Sequence, residues 1–127
     1  MSTAWAEGAR TGHQLLPWGP EVRPILFARC RGRCELCGDQ LGDVWDAHHR
    51  KHRSRGGPDC PCNGLALHPG CHTLGPNAVH VRVRLATESG HNVSRYDDPR
   101  LVDVQVPPRV HLLSDGPVML GCGGTYQ

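Results

Sequence analysis

Two short pairs of residues have the types and the spacing of a zinc site. Two residues separate Cys34 from Cys37, and the same spacing recurs between His68 and Cys71 after an interval of thirty residues. Such a pair can hold one ion from a tight turn, and structural zinc accepts thiolate and imidazole ligands. Because two pairs complete a tetrahedron, the sequence predicts a structural Zn²⁺ site made of these four residues. The alternative is that they are ordinary small core residues.

Three further cysteines compete for the same role. Only one residue separates Cys60 from Cys62, which is poor geometry for two ligands of one tetrahedral ion. Cys30 lies one turn before Cys34 and could replace it if the loop shifts, but we expect all three to be spectators. The chain has seven cysteines and no visible export signal. That combination favours a reducing compartment and a metal site over a disulfide framework.

Residues 47–57 form a histidine-rich run with four basic side chains, three histidines and no acid. A neutral imidazole can accept a proton from water near pH 7, and an imidazole-bound divalent ion can act as a Lewis acid on a phosphate. The adjacent His48 and His49 could reach one phosphate, one through a metal and one through a water. The histidine pair therefore favours a site that reaches a phosphate through a metal and a water, and the alternative is a solvated loop.

The order of these features resembles that of the HNH endonuclease family. Across residues 30–80 the chain carries Cys-x2-Cys, His-His, Gly-Gly, Asn and a final x2-Cys-His, which is about two-fifths of its length. The sequence is most similar to the small HNH proteins of bacteriophages, including those encoded beside packaging genes. The resemblance implies a ββα-metal site that hydrolyses DNA phosphodiester bonds to 5′-phosphate and 3′-hydroxyl products.

The resemblance implies a role for each matching residue. His49 corresponds to the general base, because Gly56 follows it by seven positions, as the glycine pair does in the family. His48 corresponds to the preceding metal ligand, and Asn63 to the central asparagine that holds the loop and the base in place. His72, directly after the last zinc ligand, corresponds to the final histidine and should bind the catalytic metal.

The chain departs from the family pattern in two places. His68 stands where family members usually have cysteine, although imidazole is an acceptable zinc ligand. Gly75 and Pro76 interrupt the helix that normally follows His72, so His80 is the nearest candidate for a further ligand of the catalytic ion. That ion could be Mn²⁺, Ni²⁺ or Zn²⁺, which suit imidazole, or Mg²⁺, which the resemblance allows.

Basic side chains beside the site are expected to hold the DNA backbone, since such contacts give affinity without sequence information. This group is Arg50, Lys51, Arg53 and Arg55. Arg82 and Arg84 could extend it or could form a solvated face, and His52 is expected to contact phosphate rather than metal. Aromatic residues make up only 5% of the chain, which argues against a single-strand binder built on base stacking.

The expected partner is therefore double-stranded DNA, with nicking and double-strand cutting both open. The alternative is a non-catalytic zinc-knuckle protein that binds nucleic acid or serves as an adaptor. By family analogy alone, a phage terminase or portal is a further expected partner, and the expected location is the cytoplasm of a bacterial host. No run approaches the ~18 apolar residues of a membrane-spanning helix, so no membrane partner is expected.

Length and composition predict one small domain with extensions. The 127 residues are 38% apolar and include 16 Gly and 11 Pro, so the chain is loop-rich, and a core this thin usually needs a metal or disulfides. We expect a flexible arm at residues 1–19, an HNH nuclease core with zinc knuckles at 20–80, and an extension at 81–127 that packs on this core. The expected fold class is α+β: a small zinc-stapled ββα-metal core, an irregular N-terminal arm and a short β-containing C-terminal extension.

Local patterns predict the elements that position the site. Residues 21–29 predict a short helix, 44–50 a strand, and 65–67 a short apolar segment. Residues 77–90 fit both a strand, from their alternation, and a helix capped by Asn77 and stopped by Gly90.

The C-terminal part carries patterns typical of strands. Residues 101–106 alternate between apolar and polar side chains and predict one strand. Residues 110–113 and 118–120 flank a Ser-Asp-Gly-Pro turn and predict a hairpin. The glycine-rich residues 121–124 are expected to fray.

Overall fold

The computed structural model describes residues 22–112, 115–121 and 123–127, so the predicted arm at 1–19 lies outside the described residues. The described part is a small mixed helix and strand fold with a two-stranded antiparallel sheet. Its helices and strands are α1 (Val22–Arg29), β1 (Asp46–His49), β2 (Gly64–Leu67) and α2 (Val83–Glu88). Single 3-10 turns lie at Arg53–Arg55, Pro61–Asn63 and Pro99–Leu101, and a π-helical turn lies at Gly70–Leu74. None of the helices described here is long and apolar enough to cross a membrane.

β1 and β2 form where the sequence predicts a strand and a short apolar segment. They pair antiparallel, with His48 opposite Leu65 and His49 opposite Gly64. Neighbouring side chains on a strand point to opposite faces. His48 is therefore only 1% exposed, whereas the side chain of His49 is 17% exposed. β2 is buried along its whole length, which makes it the centre of the fold.

α1 confirms the predicted helix and covers the sheet. Val22 and Leu26 are one turn apart and fully buried, so the helix presents an apolar stripe to β2. After the helix ends at Arg29, the chain turns through Gly32, which has a φ of +73°. The turn leads into the Cys34 and Cys37 segment, whose ends pair in a short bridge between Arg33 and Gln40.

The ambiguous segment 77–90 becomes helical only in its second half. Asn77 is not the N-cap, because α2 begins at Val83 and residues 77–82 fold as turns. Gly90 ends the helical segment with a φ of +83°, as expected for a C-terminal glycine. A Cβ at this position would lie 1.9 Å from the carbonyl oxygen of Asp103, so only glycine fits there.

The strand and hairpin predictions for the C-terminal part are wrong. Within 101–106, Val104 makes only an isolated bridge with Tyr126, because prolines on both sides of the segment limit the ladder. In the described part of the predicted hairpin, Met119 bridges Thr125 rather than the 110–113 segment, and the Val110 N–H donates to a nearby proline carbonyl. The described residues of the glycine-rich end contact the rest of the fold: the Leu120 N–H donates to the Gly124 carbonyl, and a Cβ at Gly123 would lie 2.5 Å from the Arg100 carbonyl oxygen.

Arg50 does not face DNA, contrary to the sequence prediction, because its side chain is fully buried. Buried carbonyl groups in loops have no partner strand and need other hydrogen-bond donors. One guanidinium offers five N–H groups in a fixed, planar arrangement. Burial lowers the pKa of Arg50 to about 10, so the group stays charged at neutral pH. The guanidinium donates at 2.6–3.3 Å to the carbonyl oxygens of Cys62, Gly90, Pro99 and Val102.

The predicted DNA contact of Lys51 is also wrong. Lys51 is 6% exposed, and its Nζ donates to the carbonyl oxygen of Asp97 at 2.8 Å. Both residues therefore join the central loop to the C-terminal part of the chain. Of the four predicted backbone contacts, Arg53 and Arg55 remain at the surface.

Replacing Arg50 with alanine should destabilise the fold strongly. Several buried carbonyls would lose their donor, at about 1–3 kcal/mol each, so we expect the free energy of unfolding to fall by about 3 kcal/mol or more. Urea unfolding followed by circular dichroism measures this change. Arg84→Ala removes an 89% exposed side chain and is the control, with an expected change within about 0.5 kcal/mol. Equal stability of the two variants would contradict the structural role of Arg50.

Candidate functional site

The four predicted zinc ligands lie together. Cys34, Cys37, His68 and Cys71 each place one donor atom within 4.8 Å of the other three. The first two belong to the turn after α1, and the other two follow β2. The cluster therefore joins two segments that are distant in sequence, and its three thiols and one imidazole could hold a metal ion such as zinc.

Hydrogen bonding orients His68 for this role. Its Nε2 lies 2.8 Å from the carbonyl oxygen of Gln40, which can only accept, so Nε2 carries the ring proton. The unprotonated Nδ1 then faces the cluster, 3.3 Å from Sγ of Cys37. Bond lengths of about 2.3 Å to sulfur and about 2.0 Å to nitrogen give a tetrahedral S···N separation of roughly 3.5 Å. The observed distance fits ligands of one zinc ion.

Burial opposes the ionisation of two of the three thiols. Burial, followed by the neighbouring thiols, raises the pKa of Cys71, and burial raises that of Cys37. The thiolate is the form that ligates zinc, so binding would release protons. Cys30 lies outside the cluster, and Cys60 and Cys62 approach each other instead, with 3.3 Å between their Sγ atoms.

His48, His72 and His80 form a second group of candidate ligands. Each places a ring nitrogen within 4.8 Å of the others, and their ring centroids are 4.8–5.4 Å apart. His48 lies on β1, His72 in the π-helical turn, and His80 before α2. The structure thus brings together the three histidines that the sequence proposes for the catalytic ion.

The π-helical turn explains how His80 arrives beside His72. The Gly75 N–H donates to the Gly70 carbonyl, which closes a wide turn. The His80 N–H then donates to the His72 carbonyl at 3.2 Å. Residues 73–79 therefore form a loop that returns the chain to His72, and the Gly75-Pro76 interruption moves the further histidine along the sequence without moving it away from the site.

Two of these histidines have a fixed tautomer. Nε2 of His48 lies 2.9 Å from both the His91 carbonyl oxygen and Oδ1 of Asn92, so it donates and leaves Nδ1 unprotonated. Burial and the neighbouring His72 lower the pKa of His48 to about 3, which keeps the ring neutral. Nδ1 of His72 lies 2.9 Å from Oδ2 of Asp46 and donates to it, so in the neutral ring the lone pair is on Nε2. Such outer hydrogen bonds orient metal-binding imidazoles.

His49 and Asn63 border this group. His49 lines the same hollow of about 220 Å³ as the three histidines, and its Nε2 donates to Oδ1 of Asp59 at 2.9 Å. Burial lowers the pKa of His49 although Asp59 opposes the shift, which favours a neutral ring. Asn63 is fully buried, accepts from the Lys51 N–H and donates to the carbonyls of Lys51 and Pro58. Asn63 thus holds the loop between β1 and β2, the role that the resemblance implies.

One arginine, Arg53, lines the hollow; its side chain is 65% exposed and donates to Asp59. Arg55, Arg82 and Arg84 are exposed as well. His52 stacks on His80, with their ring centroids 5.5 Å apart. It therefore borders the three-histidine group without belonging to it.

Sequence analysis missed the side chains that orient the site. The sequence could have pointed to Asp46, because it lies two positions before His48 on the same predicted strand and therefore on the same face. Nothing in the sequence pointed to Asp59 and Asn92, since folding alone brings them to the histidines. Comparisons with protein-family models, curated proteins and solved structures give no match for this chain.

The Cys34, Cys37, His68 and Cys71 cluster should retain about one zinc ion per chain. Cys37→Ser removes an exposed ligand with little disturbance of the core, so zinc content and thermal stability should both fall. Metal analysis by mass spectrometry and calorimetric unfolding measure the two quantities. Cys30→Ser, outside the cluster, should keep its zinc. Full zinc content in Cys37→Ser would contradict the assignment.

The three-histidine group should bind a second divalent ion more weakly. Asp46→Asn removes the carboxylate that orients His72, so the affinity for Mn²⁺ should fall about 10–100-fold. Titration calorimetry on the zinc-loaded protein measures this affinity. Asp39→Asn alters a carboxylate that pairs with Arg109 at the surface and should bind Mn²⁺ like the wild type. Unchanged affinity in Asp46→Asn would count against the role of His72.

Proposed function

We propose that this protein is a metal-dependent DNA endonuclease of the HNH type. The observation that carries the proposal is the grouping of His48, His72 and His80 beside His49, with Asn63 holding the loop between the strands. The order of β1, β2 and the helical turn that carries His72 supports a ββα-metal arrangement. The HNH resemblance of the sequence supports the same reading.

Two of the candidate ligands, His48 and His72, have one ring nitrogen engaged in a hydrogen bond. Nδ1 of His48 and Nε2 of His72 are the nitrogens that would hold a divalent ion, with His80 as the third ligand. A bound ion would supply positive charge to a non-bridging phosphate oxygen and to the leaving 3′ oxygen. Three protein ligands leave coordination positions for that phosphate. Mn²⁺, Ni²⁺ and Zn²⁺ suit imidazole, and Mg²⁺ would rely more on phosphate and water oxygens.

His49 is the proposed general base. A neutral imidazole can take a proton from the attacking water, and burial favours the neutral ring of His49. The attack would break the bond between phosphorus and the 3′ oxygen and give a 5′-phosphate, and the leaving 3′ oxygen would take a proton from solvent water to become a 3′-hydroxyl. Asn63 keeps the loop after β1 in register with β2, which holds His49 beside the metal ligands.

Exposed arginines would hold the DNA on either side of the cut. Arg53 and Arg55 lie beside the histidines, and Arg82 and Arg84 are exposed farther along the chain. Contacts of this kind follow the phosphate backbone of duplex DNA and weaken steeply with salt. Phage packaging proteins as partners and a bacterial cytoplasmic location remain part of the proposal by family analogy.

Plasmid cleavage tests the proposal. We expect wild-type protein to nick or linearise supercoiled plasmid when Mg²⁺, Mn²⁺, Ni²⁺ or Zn²⁺ is added after mild chelation. His49→Ala should cut about 10²–10⁴ times more slowly, because it lacks the general base. Gel electrophoresis over time measures the rate, and metal analysis confirms that both proteins keep the structural zinc.

The same assay distinguishes the other functions. Salt-sensitive DNA binding without cleavage by any metal would favour a zinc-knuckle protein that binds nucleic acid. One bound zinc, no response to Mn²⁺ and no affinity for DNA would favour a structural adaptor. Equal cleavage by wild type and His49→Ala would leave nuclease activity in place but remove His49 as its base.

A further inference from the structure

We propose, resting on the nuclease function above, that Asp59 is the positioning residue for His49. Its carboxylate fixes the ring in the tautomer whose unprotonated nitrogen is Nδ1. His49 and Asp59 are ten positions apart, and no motif in the sequence links them. The structure joins them by a hydrogen bond of 2.9 Å between Nε2 and Oδ1.

The chemistry of this contact determines which ring nitrogen carries the proton. An ionised carboxylate only accepts hydrogen bonds, so Nε2 must be the donor. A neutral imidazole has one N–H, which leaves Nδ1 of His49 unprotonated and able to take a proton from water. The contact is partly shielded from solvent, since the side chains of His49 and Asp59 are 17% and 24% exposed.

Two neighbours hold the carboxylate in place. Nη2 of Arg53 donates to Oδ2 at 2.8 Å, so each carboxylate oxygen has its own donor. The backbone before Asp59 is held as well, because Nδ2 of Asn63 donates to the Pro58 carbonyl at 3.1 Å. Arg53 therefore holds the Asp59 carboxylate, and Asn63 holds the backbone just before it. A group that orients a catalytic ring requires such support.

The Arg53 contact makes Asp59→Asn a sharp test. Arg53 can only donate, so it should select the amide oxygen of the new side chain. The amide NH₂ then faces Nε2 of His49 and donates to it. Nε2 becomes the acceptor, the proton moves to Nδ1, and the ring can no longer take a proton from water there. Asp59→Ala lacks this effect, because it leaves both tautomers accessible.

Kinetics on the zinc-loaded full chain measure the effect. At saturating Mn²⁺, we expect the wild type to have the highest kcat, Asp59→Ala a lower kcat, and Asp59→Asn the lowest. The asparagine variant should lose most of the ~10²–10⁴-fold contribution of a general base, with KM for DNA much less affected. Asp39→Asn breaks a surface Arg–Asp contact of the same 2.8 Å length and should match the wild type. A kcat of Asp59→Asn equal to or above that of Asp59→Ala would overturn the proposal.

A second readout does not depend on cleavage. Nitrogen chemical shifts of His49 in long-range ¹H–¹⁵N spectra distinguish a protonated ring nitrogen from an unprotonated one. We expect Nε2–H in the wild type and Nδ1–H in Asp59→Asn. If the wild type shows this tautomer but cuts no DNA, the nuclease function fails while the Asp59 contact stands. The Nδ1–H form in the wild type would overturn the Asp59 proposal even if the protein cuts DNA.

Discussion

The buried ion pair of Arg29 and Glu35 is the interaction on which the rest of the structure depends. Nη2 and Nε of Arg29 donate to the two carboxylate oxygens of Glu35 at 2.8 and 3.1 Å, and the carboxylate is completely shielded from solvent. The Ala66 N–H and the Tyr126 hydroxyl donate to the same carboxylate. One carboxylate thus joins α1, the Cys34 turn, β2 and the end of the chain. A buried charge pair is tolerated only when its remaining hydrogen-bonding positions are filled in this way.

The thin core explains why buried arginines carry so much of the structure. The buried apolar residues are mostly small, and long loops bring carbonyl groups into the interior where no ladder satisfies them. Arg29 also donates to the carbonyls of Pro61, Gly64 and Leu120, and Arg50 serves four further carbonyls. The chain has 13 arginines and a single lysine. At these two positions arginine suits the fold, because the planar guanidinium can satisfy several oxygens at once.

The sequence predicted the candidate ligands because metal binding constrains residue type and local spacing together. It also predicted α1 and the strand around His48, and it marked as a short apolar segment the residues that form β2. It misplaced Arg50 because a basic side chain in a basic run looks the same whether it faces solvent or loop carbonyls. Asp59 and Asn92 escaped notice, since their contacts with histidines depend on tertiary folding. The predicted strand at 101–106 failed because alternation does not reveal whether a partner strand is available.

The two candidate metal groups share one short piece of backbone. Cys71 of the four-ligand cluster and His72 of the three-histidine group are adjacent in the π-helical turn, and both N–H groups donate to the His68 carbonyl at 2.9 Å. An ion that fixes His68 and Cys71 therefore also fixes the turn from which His72 projects. Productive metal chemistry tolerates little error in ligand position. In a chain with so few large apolar side chains, a structural ion at this point would supply the rigidity that the core cannot provide.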